Sequence, residues 1–167
     1  MELLVLLGMW QGFRASEIRG LKKSDFKNGV LTINRVIVTV KGEHIEKGET
    51  KTTDSRRRLR VPAIIQQMVD KIDDEYITRR TGVSIYKSFK LRMTRAGYPD
   101  MTFHDLRHLN ASVMLMLGVP DKYAMERGGW STTSTLKSVY QETFSDERRA
   151  IDDRIDDYFT DIYNNIV

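Results

Sequence analysis

The chain has 167 residues, 40% of them hydrophobic and 30% charged. That is enough for one domain with a proper core and argues against global disorder. It has no cysteine, which excludes disulfides, thiolate nucleophiles and Cys-type zinc sites and points to a cytoplasmic home. The net charge of +4 is unevenly spread: from Gln141 onward eight acids face three bases, leaving −5 on the tail and +9 on the body. A basic body suggests a polyanionic partner, and the acidic tail suggests a basic surface to lie on.

The opening "MELLVLLGMW" has a helical apolar pattern that ends at Gly12. It lacks a basic leader and a cleavage site, so it reads as a core helix and not a signal peptide. Met1 falls inside that pattern with no cap before it, as expected at the edge of a longer chain. Ser16 suits an N-cap or first-turn position of a short helix through Leu21. "SDFKNG" is turn chemistry. "VLTINRVIVTV" alternates and is rich in β-branched residues, "KGEHIEKGE" breaks it, and "RRLRVP" closes it, as in a small antiparallel sheet with charged connections. Pro62 starts a helix over "AIIQQMVDKIDDEYI". Further helices are expected at Ser84–Ala96, Phe103–Leu117, Asp121–Arg127, Ser134–Tyr140 and Ser145–Tyr163, with Met114, Leu115, Met116 and Leu117 filling the core. The fold class is mainly α with a small antiparallel β-sheet (α+β).

"TFHDLRHLNAS", Thr102 to Ser112, holds two of the three histidines. His104 and His108 share a helix face at i, i+4, the spacing of a zincin pair. Such enzymes place a glutamate directly after the first histidine. Here that position is Asp105, and the Arg107 cation on the same helix repels a dication. His104 and Arg107 at i, i+3 instead offer an imidazole beside a guanidinium fork, which suits a phosphate. Other segments supply similar chemistry. Arg14 sits at a helix junction, with Glu17 three residues on to hold its guanidinium. Lys51 lies in a strand connection. "GGW" places Trp130 in a turn, ten residues before Tyr140.

Arg14, Lys51, His104-x-x-Arg107, Trp130 and Tyr140, in that order, resemble the catalytic domain of the tyrosine recombinases, the phage integrase family. "GFRASEIRGL", "TKTTDSRRRLRVP", "TFHDLRHLNAS", "GGWS" and "VYQET" look like that family's successive boxes. The resemblance runs from about Leu4 to Tyr140. It implies the DNA breaking–rejoining enzyme fold, with residues 1–144 as a catalytic domain whose N-terminal edge is truncated and whose DNA-clamping partner domain is absent. Residues 145–167 form a helical tail docking in cis or in trans. Family spacing favours Lys51 over Lys47 and Tyr140 over Tyr123 or Tyr158. Trp130 stands where most members have histidine, so it can donate a hydrogen bond but transfers no proton at neutral pH.

The resemblance implies a site-specific recombinase, from a phage or other mobile element, that joins DNA to Tyr140 through a 3′-phosphotyrosine, without metal, cofactor or ATP. Arg14 and Arg107 would neutralise the transition state. His104 would act as base, and Lys51 would protonate the leaving 5′-oxygen. Glu17, Asp105 and His108 are expected to support the site. Arg56, Arg57, Arg58 and Arg60 are expected to line the DNA backbone. The expected partners are double-stranded DNA and three further copies in a synapse, in the cytoplasm of a bacterial host at its nucleoid, with no membrane. A type IB topoisomerase-like enzyme and a non-catalytic DNA-binding relic are the alternatives.

Overall fold

The computed structural model describes residues 1–48, 57–134, 136, 156–157 and 159–160. The first helix, α1 (Glu2–Gln11), buries Leu3, Leu4, Leu7, Gly8 and Gln11. It stops at Gly12, whose φ of 71° and N–H to the Gly8 carbonyl form a left-handed C-cap. The next helix, α2 (Ala15–Gly20), has Arg14 at its N-cap, and Glu17 reaches back to accept the Arg14 backbone N–H at 2.9 Å. Ser16 therefore sits in the first turn while Glu17 closes it. A single 3-10 turn, Lys23–Asp25, leads into the strands.

Strands β1 (Phe26–Lys27) and β2 (Val30–Ile33) are joined through Asn28 and Gly29, both at positive φ, as a two-residue hairpin turn demands. Strands β3 (Arg35–Val40) and β4 (Glu43–Gly48) are joined in the same way by Lys41 and Gly42. With β5 (Arg57–Arg60), the strands form an antiparallel β1-β2-β5 sheet and a separate β3-β4 hairpin. In the sheet Leu31 pairs with Leu59, and their side chains face the core. Gly20 meets the hairpin closely: a Cβ there would lie 2.6 Å from the Arg35 carbonyl. Arg19, buried at the end of α2, donates to the Ile37 carbonyl of β3 and to His44 Nδ1 of β4. A guanidinium only donates, so His44 Nδ1 is the acceptor.

Four more helices follow, α3 (Ala63–Asp70), α4 (Gly82–Arg95), α5 (Asp105–Met116) and α6 (Asp121–Gly128), and most of the helices expected at 134–140 and 145–163 lies outside the described residues. The expected fifteen-residue helix after Pro62 is thus about half that length. Residues beyond Asp70 are drawn alongside the end of α2 instead. Lys23 Nζ donates to the Asp70 and Ile72 carbonyls, Lys22 bridges Tyr76, and the Ile77 N–H donates to the Leu21 carbonyl. Asp74 also accepts the Tyr76 N–H, the local turn chemistry that competes with a helix.

The main core gathers α1, α2, the sheet, α3 and α4, with Phe103 and Leu106 at the start of α5. Gly8 lets α1 approach α5 until a Cβ would lie 3.1 Å from Leu106. A smaller cluster joins Ala111, Met114, Ala124, Trp130 and Leu136. Met114 fills this core as expected, but Met116 and Leu117 are exposed. They lie off the inward stripe in the last turn of α5, where the helical period has carried the chain outward.

Candidate functional site

The site grows from the ends of helices. The carbonyls left open at the C-terminus of α1 are captured by side chains from α5 and α6. Asn110 Nδ2 donates to the Met9 and Trp10 carbonyls, Arg127 to the Trp10 carbonyl, and Arg107 Nη1 to the Gly12 carbonyl at 2.5 Å. These bonds satisfy orphan helix acceptors and fix the 12–14 junction against α5. They require a glycine at position 12, because a Cβ there would lie 2.7 Å from Asn110 Oδ1.

Arg14 and Arg107 converge on one turn. Arg14 Nη2 donates to the Gly129 carbonyl at 3.4 Å, and Arg107 Nη1 donates to the Gly128 carbonyl at 2.5 Å. Trp130 completes that turn and lies beneath Arg107, whose guanidinium carbon is 4.2 Å from the ring centroid. The stack needs Gly128: a Cβ there would fall inside the Trp130 ring.

Arg107 is 2% exposed, and its Nη2 is buried with no hydrogen-bond partner among the described residues. Burial is the main reason its pKa is pushed down to about 9; the Arg14 and Arg57 charges add to it and Glu17 opposes them. It remains a cation at neutral pH. A buried cation with an unused donor favours an anion nearby. Arg14 is more open, with 42% of its side chain exposed, and is steadied by Glu17 at 3.2 Å.

Glu17 itself is buried. Burial pushes its carboxyl up, but the charge and hydrogen bonds of Arg57, with the N–H and charge of Arg14, outweigh that and hold it below the ordinary glutamate value.

His104 caps α5 from the exposed side, and its ring meets His108 edge-on at 4.8 Å. Desolvation at the rim, then His108, Arg107 and Arg14, push His104 below the ordinary imidazole value of 6.5, with Asp105 acting in the opposite sense. The imidazole is therefore neutral at pH 7 and able to accept a proton. Asp105 accepts the Thr102 N–H at 2.7 Å, which closes the start of α5. Among the described residues no group of three or more His, Asp and Glu is arranged to hold a metal ion. His44 is engaged with Arg19 on the hairpin.

The expected arginine strip divides. Along β5 burial alternates, so Arg58 and Arg60 face solvent while Arg57 and Leu59 face inward. Arg57 Nη1 and Nη2 donate to the two Glu17 oxygens, and its Nε donates to the Arg127 carbonyl. Arg57 is thus an interior ion-pair partner, and a place for it on a DNA-facing strip does not survive, because a strand turns alternate side chains to opposite faces. Lys51, Arg56 and Tyr140 lie outside the described residues. The structure brings together Arg14, Glu17, His104, Arg107 and Trp130, with His108 beside them.

Residues 1–147 match the phage integrase family. The chain belongs to that family. An integrase of Saccharopolyspora erythraea is 39% identical over 71 residues, which cover 42% of this chain and 16% of that protein. A tyrosine recombinase XerC-like protein of Caldanaerobacter subterraneus is 26% identical, over 95% of this chain and 50% of that protein. Among solved structures, the Tn1549 transposon integrase, in complex with transposon right end DNA, superposes with a TM-score of 0.71 at 20% identity, over 92% of this chain and 57% of that one. XerA recombinase gives 0.68 at 17% identity, over 89% and 55%. The chain spans half or less of the length of these two curated relatives, and its fold is that of the tyrosine recombinase catalytic domains.

Two participants in this integrase-family site escaped the sequence reading. Asn110 lies within "HLNAS", where its amide looks like any polar helix residue. Gly128 is the first glycine of "GGW", and its need becomes visible only when Trp130 folds back over it.

Proposed function

We propose that the chain is the catalytic domain of a site-specific recombinase that breaks and rejoins DNA through a 3′-phosphotyrosine. The observation that carries this reading is the convergence of Arg14 and Arg107 on the Gly128–Gly129 turn, with the buried Arg107 Nη2 unpartnered among the described residues. Two guanidiniums suit the extra negative charge of a pentacoordinate phosphorus, where donors fixed in advance need no reorganisation.

In this mechanism the Tyr140 hydroxyl oxygen attacks the scissile phosphorus. A phenol with a pKa of ~10 needs help to lose its proton near neutrality, and neutral His104 takes it. The P–O5′ bond breaks, and Lys51 protonates the departing 5′-oxygen. The phosphodiester energy is kept in the tyrosyl ester, so a second 5′-hydroxyl reverses the reaction on a new strand. Trp130 keeps Arg107 flat by stacking, while Asp105 and His108 hold the start of α5 and the His104 ring.

Residues 1–144 form the catalytic unit in this reading, and 145–167 dock on it or on a neighbouring copy. Arg58 and Arg60, and Arg56 with them, meet the backbone of double-stranded DNA. Four copies assemble on DNA in a synapse, at the nucleoid of a bacterial host. The solved relatives named with transposon right end DNA and with a difH substrate support DNA as the partner. Among the described residues no helix is long and apolar enough to cross a membrane.

The test is covalent trapping. The chain is incubated with labelled nicked duplexes in EDTA, denatured in SDS and scored for a protein–DNA band, beside Tyr140→Phe. The expected result is an adduct that forms without divalent metal and is absent from the variant. An adduct that persists in Tyr140→Phe would overturn the assigned nucleophile, and DNA binding without any adduct would leave a DNA-binding domain.

A further inference from the structure

The mechanism above leaves the buried cation of Arg57 unused. Arg57 has 6% of its side chain exposed, and all three of its guanidinium nitrogens donate to protein acceptors. Nη1 and Nη2 reach Glu17 Oε1 and Oε2 at 3.0 and 3.1 Å, and Nε reaches the Arg127 carbonyl at 2.9 Å. The Phe13 ring lies 5.2 Å from its guanidinium carbon. It is turned inward, away from any DNA-facing surface, and its contacts lead to both halves of the site.

One half is Arg14. Glu17 Oε1 accepts from Arg14 Nη1 as well as Arg57 Nη1, and Oε2 accepts the Arg14 N–H as well as Arg57 Nη2. One carboxylate is shared by two guanidiniums, so the trio carries one positive charge more than it needs internally. If Arg57 were neutral, Glu17 and Arg14 would form a closed pair, and a bound phosphate would compete with Glu17 for Arg14. The other half is the turn that receives Arg14 and Arg107. Arg57 Nε holds the carbonyl directly before Gly128, and a Cβ on Gly129 would lie 2.5 Å from Arg57 Nη1. Gly129 has φ of +66°, so the turn is shaped around this guanidinium.

We propose that Arg57 is a positioning residue of the strand-transfer site: it neutralises Glu17 so that Arg14 stays free for the phosphate, and it anchors the turn on which Arg14 and Arg107 converge. The proposal rests on the phosphotyrosyl reading of the site. It removes Arg57 from the set of DNA-backbone contacts and leaves that role to its outward neighbours.

The experiment compares Arg57→Met with Arg58→Gln. At saturating nicked duplex, Arg57→Met forms the Tyr140 adduct on the order of 10²-fold more slowly, the scale of a misplacement remote from the reacting atoms. Its DNA affinity keeps the wild-type salt dependence. Arg58→Gln instead shows its effect in affinity, with a salt slope reduced by about one. In Arg57→Met the Glu17 carboxyl also titrates at higher pH, because it keeps its burial and loses the charge and hydrogen bonds of Arg57.

A buried carboxylate left with one partner could unfold the protein, so Arg57→Met is also made with Glu17→Gln, which removes both charges. That pair folds and stays slow, because the turn before Gly128 has lost its anchor. Wild-type cleavage by either form, or a lowered salt slope in Arg57→Met, overturns the proposal. The Glu17 titration, followed by carboxyl 13C NMR without DNA, separates the two layers of the argument. If the wild type forms no adduct, the strand-transfer reading fails, while a Glu17 titration unmoved by Arg57→Met overturns the role of Arg57 whatever the cleavage result.

Discussion

Arg57 and Arg107 are both buried arginines of the same wall, and they differ in what they face. Arg57 lies fork to fork on a carboxylate, its nitrogens satisfied. Arg107 has carbonyls and an indole face for company, and one buried amino group without a partner among the described residues. Carbonyl dipoles hold a guanidinium in place without neutralising it, whereas a carboxylate cancels it. Burial by itself therefore does not mark a functional arginine. What sets the two apart is the carboxylate bonded to Arg57, where Arg107 has only carbonyls and an indole face among the described residues.

The contrast is broken most severely at Arg107. Arg107→Gln removes the unpartnered donor and the charge together, and adduct formation at saturating duplex should fall by about 10²–10³-fold, the usual result of deleting one transition-state donor. A variant that cleaved at the wild-type rate would show that the buried charge is structural. His104→Gln should lower the same rate by at least about 10²-fold, as loss of a general base does. In the wild type the second-order rate, which reports free protein, should hold at pH values just below the ordinary imidazole value of 6.5. It should then fall as pH drops through the lowered pKa and the base is protonated. An acid limb centred above 6.5 would contradict the cationic surroundings of His104.

Smaller effects sharpen the comparison. Gly128→Ala pushes a methyl into the Trp130 ring and tilts the surface on which Arg107 lies. The expected cost is about 1–3 kcal/mol of stability, as for overpacking a core, read by urea denaturation with tryptophan fluorescence. No change in either would mean that Trp130 has another place to go. Arg58→Gln should do least, leaving the fold intact and reducing the salt slope of DNA binding by about one.

Much of this was legible before any coordinates. Gly12 stopped α1 because only a left-handed residue ends a helix that way. Asn28-Gly29 made a hairpin turn. Arg14, the His104–Arg107 pair and Trp130 were picked out by type and order, the structure brings them together, and Glu17 lies on Arg14 as expected. These features are local, written in a few adjacent residues whose backbone needs or i, i+3 spacing are intrinsic. Arg57 was placed on the wrong side because "RRRLR" contains four arginines whose identities do not say which alternate faces the core. Strand pairing with β2 settles that, and it places the guanidinium on Glu17, 40 residues earlier in the chain. The helix after Pro62 was overextended for a similar reason: its second half keeps an apolar spacing, but pairing with residues 21–23 outweighs local propensity.

The sequence by itself determined the list of chemical groups, the short helices and turns that carry them, and the family. Tertiary structure decided which charges are cancelled. Two arginines of identical chemistry differ in whether a carboxylate is packed against them, and electrostatic cost depends on distance and burial, which no single segment of chain contains.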